Sequence, residues 1–194
     1  MKCSKSTAIA LVLVFFLAAY FCADVYAGSV KAVKMSLTSS AFREGDMIPQ
    51  KYGFNDENLS PPLSWSGVPE GAQSAVITCD DPDAPGGTWV HWVIFNIPAA
   101  AGGLPEGVSR EEVLQDGSVQ GVNDFNKIGY DGPAPPYGIH RYIFKVFAID
   151  TVIDLEAGAT KKELFNRMAG HVLGEGKLMG RCKKKIDIPA EPML

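Results

Sequence analysis

The chain has 194 residues, of which 46% are hydrophobic and 21% charged, with 20 Gly and 13 Pro. That composition excludes disordered and fibrous classes and leaves an ordinary globular protein. A net charge of −4 without a concentrated basic face argues against a nucleic-acid partner, and four cysteines without a Cys-x-x-Cys pair give a dithiol redox site no support.

Residues 1–27 read as a secretory signal peptide. Lys2 and Lys5 form a positive n-region, Ala8 to Cys22 an apolar run, and Val25-Tyr26-Ala27 offers small residues at the cleavage positions. The competing reading is a retained anchor, because residues 6–23 carry no charge and approach the minimum spanning length. Tyr20 and Phe21 are too bulky to make Cys22 a lipid-attachment site. Cleavage leaves residues 28–194 as one domain, secreted or periplasmic, with no stable membrane span. Loss of Lys2, Lys5 and Asp24 moves its net charge to −5. Of the cysteines, Cys79 and Cys182 remain, either as a disulfide or as two separate thiols.

In chain order, alternating apolar residues predict strands over 34–39, 62–66, 74–79, 89–97, 140–149 and 177–184. Pro/Gly-rich loops over 81–87, 98–103 and 129–138 separate them. A short helical turn is predicted over 109–114. A longer helix starts at Thr160, which forms a capping box with Glu163, carries Leu164, Phe165, Met168 and Val172 at helical spacing, and stops near Gly174. Many strands without strand–helix alternation favour an antiparallel sandwich, an all-β fold with minor helices. The basic run Lys183-Lys184-Lys185 is explained by a solvated strand end.

Three segments carry candidate chemistry. Asp80 to Gly87 is a strand end entering a loop stiffened by Pro82 and Pro85; alone it is an acidic turn. In the strand around His91, alternation puts His91, Val93 and Phe95 on one face, and Trp92, Ile94 and Asn96 on the other. A lone His in such a strand is more often a satisfied core residue than a ligand. Tyr130 to Tyr142 is a Pro/Gly loop entering a strand in which His140 and Tyr142 share a face, opposite Arg141. His171, near the predicted helix end, reads as structural, and Trp65 and Trp92 read as core.

Together, Asp81-Pro82-Asp83-Ala84-Pro85, then His91, then Gly138-Ile139-His140-Arg141-Tyr142 resemble the signature segments of the phosphatidylethanolamine-binding protein family. Leu59 to Trp65, Gly170 to Leu173 and Met179-Gly180 are similar as well, pointing to its bacterial and archaeal Raf-kinase-inhibitor-like branch. The resemblance runs in order from about Lys34 to Lys184. It implies a Greek-key β-sandwich with an anion pocket at one end, made by Asp81, His91, His140 and Tyr142. Asp83 shapes the loop, Trp89 is a rim residue, and Pro135 and Pro136 form a wall, although Pro133-Ala134 aligns with the family's Pro-Pro pair equally well. The chain ends soon after its last strand, without the C-terminal helix of mammalian members, so a more open pocket is expected.

In such a pocket a carboxylate favours charged imidazoles, so Asp81 is expected to raise one or both histidine pKa values. The leading expectation is a non-enzymatic binding protein for a small phosphate- or carboxylate-bearing ligand, acting as inhibitor or regulator of a protease or kinase-like partner. It needs no catalytic residue, metal or cofactor. The alternative is a metal-dependent or acid/base hydrolase using the two His and Asp; no Gly-x-Ser-x-Gly, His-Glu-x-x-His or phosphate-cradling loop accompanies it.

Overall fold

The computed structural model describes residues 32–184, so the expected leader, Cys3 and Cys22 lie outside the described residues. Nine strands follow in order: β1 (Val33–Lys34), β2 (Ser36–Thr38), β3 (Leu63–Ser66), β4 (Ser74–Asp81), β5 (Trp89–Pro98), β6 (Gly103–Leu104), β7 (Val119–Gln120), β8 (Ile139–Ile149) and β9 (Val172–Lys183). The helix α1 (Lys161–Met168) precedes β9. The six-stranded sheet has the order β1-β9-β8-β4-β5-β7, and the small sheet the order β2-β3-β6. Strands β4, β5 and β7 lie side by side, and β8 returns beside β4, which is a Greek key. All pairs are antiparallel except β1 with β9, which are parallel.

Alternation explains the layers. Even-numbered residues of β8 (Tyr142, Phe144, Val146, Ala148) join Ile77 and Cys79 of β4 in one core, closed by Leu37, Leu63, Trp65 and Leu104 of the small sheet. The opposite face of the large sheet offers Val76, Phe147 and Ile149 to Leu164 and Met168 of α1. The inner face is therefore a sandwich interface, and the outer face is covered by a helix over part of its length. Trp65 and Trp92 are both core, as expected.

Several elements differ from the sequence reading. Segment 34–39 is split at Met35, whose N–H still bonds the Glu175 carbonyl at 2.7 Å while the chain crosses to the small sheet. Segment 109–114 is a loop rather than helix, because Gln120 Nε2 donates to the carbonyls of Ser109 and Glu111, turning them away from a helical ladder. The Thr160–Glu163 capping box forms, but α1 stops at Met168, well before Gly174. Gly170 takes φ +86°, a left-handed conformation that ends the helix, and Val172 and Gly174 open β9 instead. His171 sits past the helix, its Nδ1 2.7 Å from Asp150 Oδ1, so a hydrogen bond to that carboxylate rather than the helix terminus fixes its ring. Cys79 and Cys182 form no disulfide. They lie on β4 and β9 with β8 between them, about 10 Å apart by strand spacing alone, beyond disulfide reach. Among the described residues no helix is long and apolar enough to cross a membrane.

Candidate functional site

Strand β5 does not keep strict alternation, and that is what places His91. Cys79 pairs with Trp92, but Asp80 pairs with Val90, leaving His91 as the extra residue of a β-bulge. Val90 consequently packs with the outer core and Trp92 with the inner one, while His91 turns its ring edge-on to Tyr142 at 5.1 Å between centroids. The expected grouping of His91 with Val93 and Phe95 is thus overturned. A second bulge lies between the Ala75–Ile97 and Ile77–Ile94 pairs, where Asn96 adopts φ +57°. Its amide exchanges hydrogen bonds with the Ile153 backbone, toward the outer core and away from Trp92 and Ile94.

Four expected residues meet at one end of the inner face. Asp81 Oδ2 accepts from His140 Nδ1 at 2.8 Å, and its Oδ1 accepts the Asp83 N–H at 2.8 Å. His140 and Tyr142 come from the same face of β8, and His91 from the β5 bulge. The buried His140 Nε2 meets no hydrogen-bond partner, and the Tyr142 hydroxyl meets none within strict geometric limits, although Asp81 lies near enough to interact with it by hydrogen bonding as well as by charge. Trp65 Nε1, Thr78 Oγ1, Asp80 Oδ1 and Ser118 Oγ are also buried without a partner, but only His140 and Tyr142 bring two such atoms from one strand face together beside Asp81. Burial, then the Asp81 charge, pushes the Tyr142 phenol far above its ordinary value, so the hydroxyl stays a donor.

The two histidines are held differently. His91 Nδ1 donates to the Asp131 carbonyl at 2.7 Å, so the lone pair of the neutral ring sits on Nε2. Burial lowers its pKa, outweighing the Asp131 carbonyl and the Asp81 charge, both of which raise it. The expected rise from Asp81 does not occur at His91, because desolvation wins where the carboxylate is engaged elsewhere. The Asp131 N–H also bonds the His91 carbonyl at 3.0 Å, so one residue grips β5 from backbone and ring together.

Asp83 stands outside the cluster. Its carboxylate takes Arg141 Nε at 2.9 Å, Arg141 Nη2 at 2.7 Å and the Arg141 N–H at 2.9 Å. Against a small opposing cost of burial, the guanidinium lowers its pKa to about 2. It ties the 81–87 loop to β8. Trp89 is 38% exposed and reaches the cluster through Phe125, whose ring meets Trp89, His91 and Phe54 at 5.4, 5.4 and 4.8 Å. Pro135 and Pro136 border a neighbouring cleft of about 1230 Å³ with Pro133, Ala134 and Ile48, so both candidate pairs line one space. Asp81, His91, His140 and Tyr142 are at most 3% exposed, a closed cluster rather than the expected open pocket. The exposed Tyr137 ring lies edge-on over His140 at 5.3 Å.

Sequence reasoning missed the support behind His91. The Asp131 carboxylate is fully buried and accepts from Asn58 Nδ2 (2.8 Å), Asn123 Nδ2 (2.9 Å) and Arg110 Nη2 (3.0 Å). Burial raises its pKa, but these three donors outweigh it and hold the carboxyl below its usual range. Among the described residues no three His, Cys, Asp or Glu side chains converge as a metal-ligand set.

Known proteins share this frame. The family model described as phosphatidylethanolamine-binding protein matches residues 38–183. A UPF0098 protein of Methanothermobacter thermautotrophicus is 55% identical over 150 residues, covering 77% of this chain and 99% of its own. UPF0098 protein YbhB of Escherichia coli is 47% identical over 135 residues, covering 65% and 85%. Two crystal structures superpose well. A putative phosphatidylethanolamine-binding protein homologue from Chlamydia trachomatis has TM-score 0.72 and 40% identity, covering 79% of this chain and all of that one. Escherichia coli YbcL, described as a new member of the mammalian family, has TM-score 0.73 and 34% identity, covering 78% and 99%. With its β-sandwich, its clustered Asp81, His91, His140 and Tyr142, and these relatives, the chain belongs to the phosphatidylethanolamine-binding protein family.

Proposed function

We propose that this protein is a non-enzymatic binding module whose Asp81–His91–His140–Tyr142 cluster takes a small phosphate- or carboxylate-bearing group. Inhibition or regulation of a protease or kinase-like partner would follow from that binding. The observation that carries the reading is the pair of buried polar atoms, His140 Nε2 and the Tyr142 hydroxyl, side by side on β8. A phenol and an imidazolium donate well to phosphate or carboxylate oxygens. Asp81 orients His140 and is not itself an anion contact. The same Asp–His pair has the form of an oriented general base, but the sequence supplies no nucleophile motif beside it, so binding is the better-supported use.

The test follows the imidazole signals by NMR during titration with phosphate and with phosphoethanolamine, from about pH 5 to 8, the range in which histidine changes charge. Joint shifts of His91 and His140 with His171 unmoved are expected, and their loss in Tyr142→Phe. Stationary His91 and His140 signals at millimolar ligand would refute the pocket.

A further inference from the structure

The cluster of Asp81, His91, His140 and Tyr142 is closed, none of the four more than 3% exposed, so anything that reaches it must first displace a cover. Two aromatic covers are present, and they are held differently. His91 lies beside Phe125, whose ring also meets Phe54 at 4.8 Å and Trp89 at 5.4 Å. Lys127 Nζ lies 4.9 Å from the Phe54 ring centre and braces that stack further. The Phe125 N–H donates to Asn123 Oδ1 at 3.0 Å, and Asn123 in turn donates to the buried Asp131 carboxylate. Moving Phe125 aside therefore breaks its contacts with Phe54, Trp89 and His91 while its backbone stays tied to a buried network.

Over His140 the cover is a single ring. Tyr137 is 56% exposed and meets His140 edge-on at 5.3 Å. Among the described residues its ring meets no other aromatic ring and its hydroxyl makes no hydrogen bond. An exposed side chain of this kind changes rotamer in picoseconds to nanoseconds. Room for the motion exists, because a Cβ built on the adjoining Gly138, at φ +57°, would meet nothing within 4 Å. The backbone need not follow. The Gly138 carbonyl accepts the Lys184 N–H at 2.9 Å, and Pro135 and Pro136 fix the chain just before the ring. The same two prolines line the cleft of about 1230 Å³, so open space adjoins this cover and not a packed wall.

We infer that Tyr137 is the movable cover of the cluster: a ligand enters from the side of Pro135 and Pro136 by displacing the Tyr137 ring from His140, while the Phe125 side stays shut. The ring competes with the ligand for His140, so a ligand is held only if its contact with the imidazole outweighs the edge-on ring it replaces. The inference deepens the anion-pocket reading and rests on it for the nature of the ligand. The route itself can be tested without any anion.

The experiment treats the full chain with diethyl pyrocarbonate, which acylates the lone-pair nitrogen of a neutral imidazole, and reads the rate at each histidine by peptide mass mapping. His171, with 46% of its side chain exposed, should react first and equally in every variant. Tyr137→Ala should speed reaction at His140 by about 2- to 12-fold, the worth of one aromatic pair contact, at an unchanged melting temperature. Tyr137→Phe keeps the ring and should keep the slow rate. Trp89→Ala should leave His91 and His140 both slow, since Phe125 remains stacked on Phe54. An unchanged His140 rate in Tyr137→Ala, or equal acceleration by Trp89→Ala, would overturn the inference. Phosphate titrated into Tyr137→Ala separates the two readings. Fast acylation of His140 with imidazole NMR signals that phosphate does not move would uphold the entrance and refute the anion site.

Discussion

Replacing Asp131 with Asn tests whether the grip on His91 is as tightly specified as the geometry indicates. The change keeps the shape and swaps one acceptor oxygen for a donor. Oδ1 now serves Asn58 and Arg110, and Oδ2 serves Asn123. None of the three can adapt. Asn123 cannot flip, because its Oδ1 accepts the N–H groups of Phe125 and Lys127. Asn58 cannot flip without losing the Gly132 N–H at 2.8 Å, and a guanidinium has no acceptor. Either orientation of the new amide therefore sets donor against donor in a fully buried site. A buried unsatisfied donor costs about 1–3 kcal/mol, and a charge-assisted bond is lost as well, so the expected destabilisation is about 2–4 kcal/mol. Urea unfolding should show the midpoint falling by roughly 1–2 M with an unchanged slope. The pH dependence has a definite sign. A carboxyl held below its unfolded value stabilises above that value, about pH 4, and loses the contribution as pH falls through its folded pKa. The gap between the two proteins should therefore close in acid. A loss under about 0.5 kcal/mol at neutral pH, within the range of ordinary surface substitutions, would refute the argument.

Gly132→Ala should be worse tolerated, because its Cβ would fall on the Tyr52 carbonyl oxygen and 2.9 Å from both the Gly53 carbonyl carbon and the Phe54 nitrogen, all backbone. We expect a loss of at least about 3 kcal/mol by urea unfolding; a wild-type midpoint would show that the 131–136 loop does not pack as described. Asp83→Asn should be mild, under about 1 kcal/mol, since Arg141 is 53% exposed and solvent screens the pair. Because the Asp83 pKa falls to about 2, that contribution is present above about pH 4 and fades as pH drops through about 2, so thermal melts of the two proteins should converge there. A difference that persists in strong acid would assign the effect to something other than the ion pair.

What the sequence shows depends on whether an interaction is local. The strand around 140–149 was legible because period-two alternation is written in consecutive residues, that around 74–79 because a short β-branched apolar run suits a strand buried on both faces, and the Thr160 cap because its partner is three residues away. The end of α1 was not legible, since Val172 suits a helix stripe and a strand equally and only pairing with Ile149 decides. Nor were the β5 bulges, which depend on register against β4. The family segments brought Asp81, His91, His140 and Tyr142 to attention, but Asp131 reaches Asn58 and Arg110 across 73 and 21 positions.

The site also shows why charge counted along a chain misjudges a buried cluster. Asp81 is near both imidazoles, and Coulomb attraction alone would charge both. Its two oxygens are committed to His140 Nδ1 and the Asp83 N–H, so at His91 it acts only through space, and there desolvation is larger. Two strong cations lie nearby and both are engaged: Arg141 points to the outer face and is held by Asp83, and Arg110 is held by Asp131. Under the proposed reading, an incoming anion meets a carboxylate, a neutral His91 and the Tyr142 hydroxyl, with no unpaired arginine or lysine among them. A second negative charge brought beside Asp81 must then be offset by proton uptake on an imidazole, or arrive with its own proton, as a phosphate monoester can. Binding coupled in this way weakens as pH rises, and it favours the singly over the doubly charged form of a phosphate ligand.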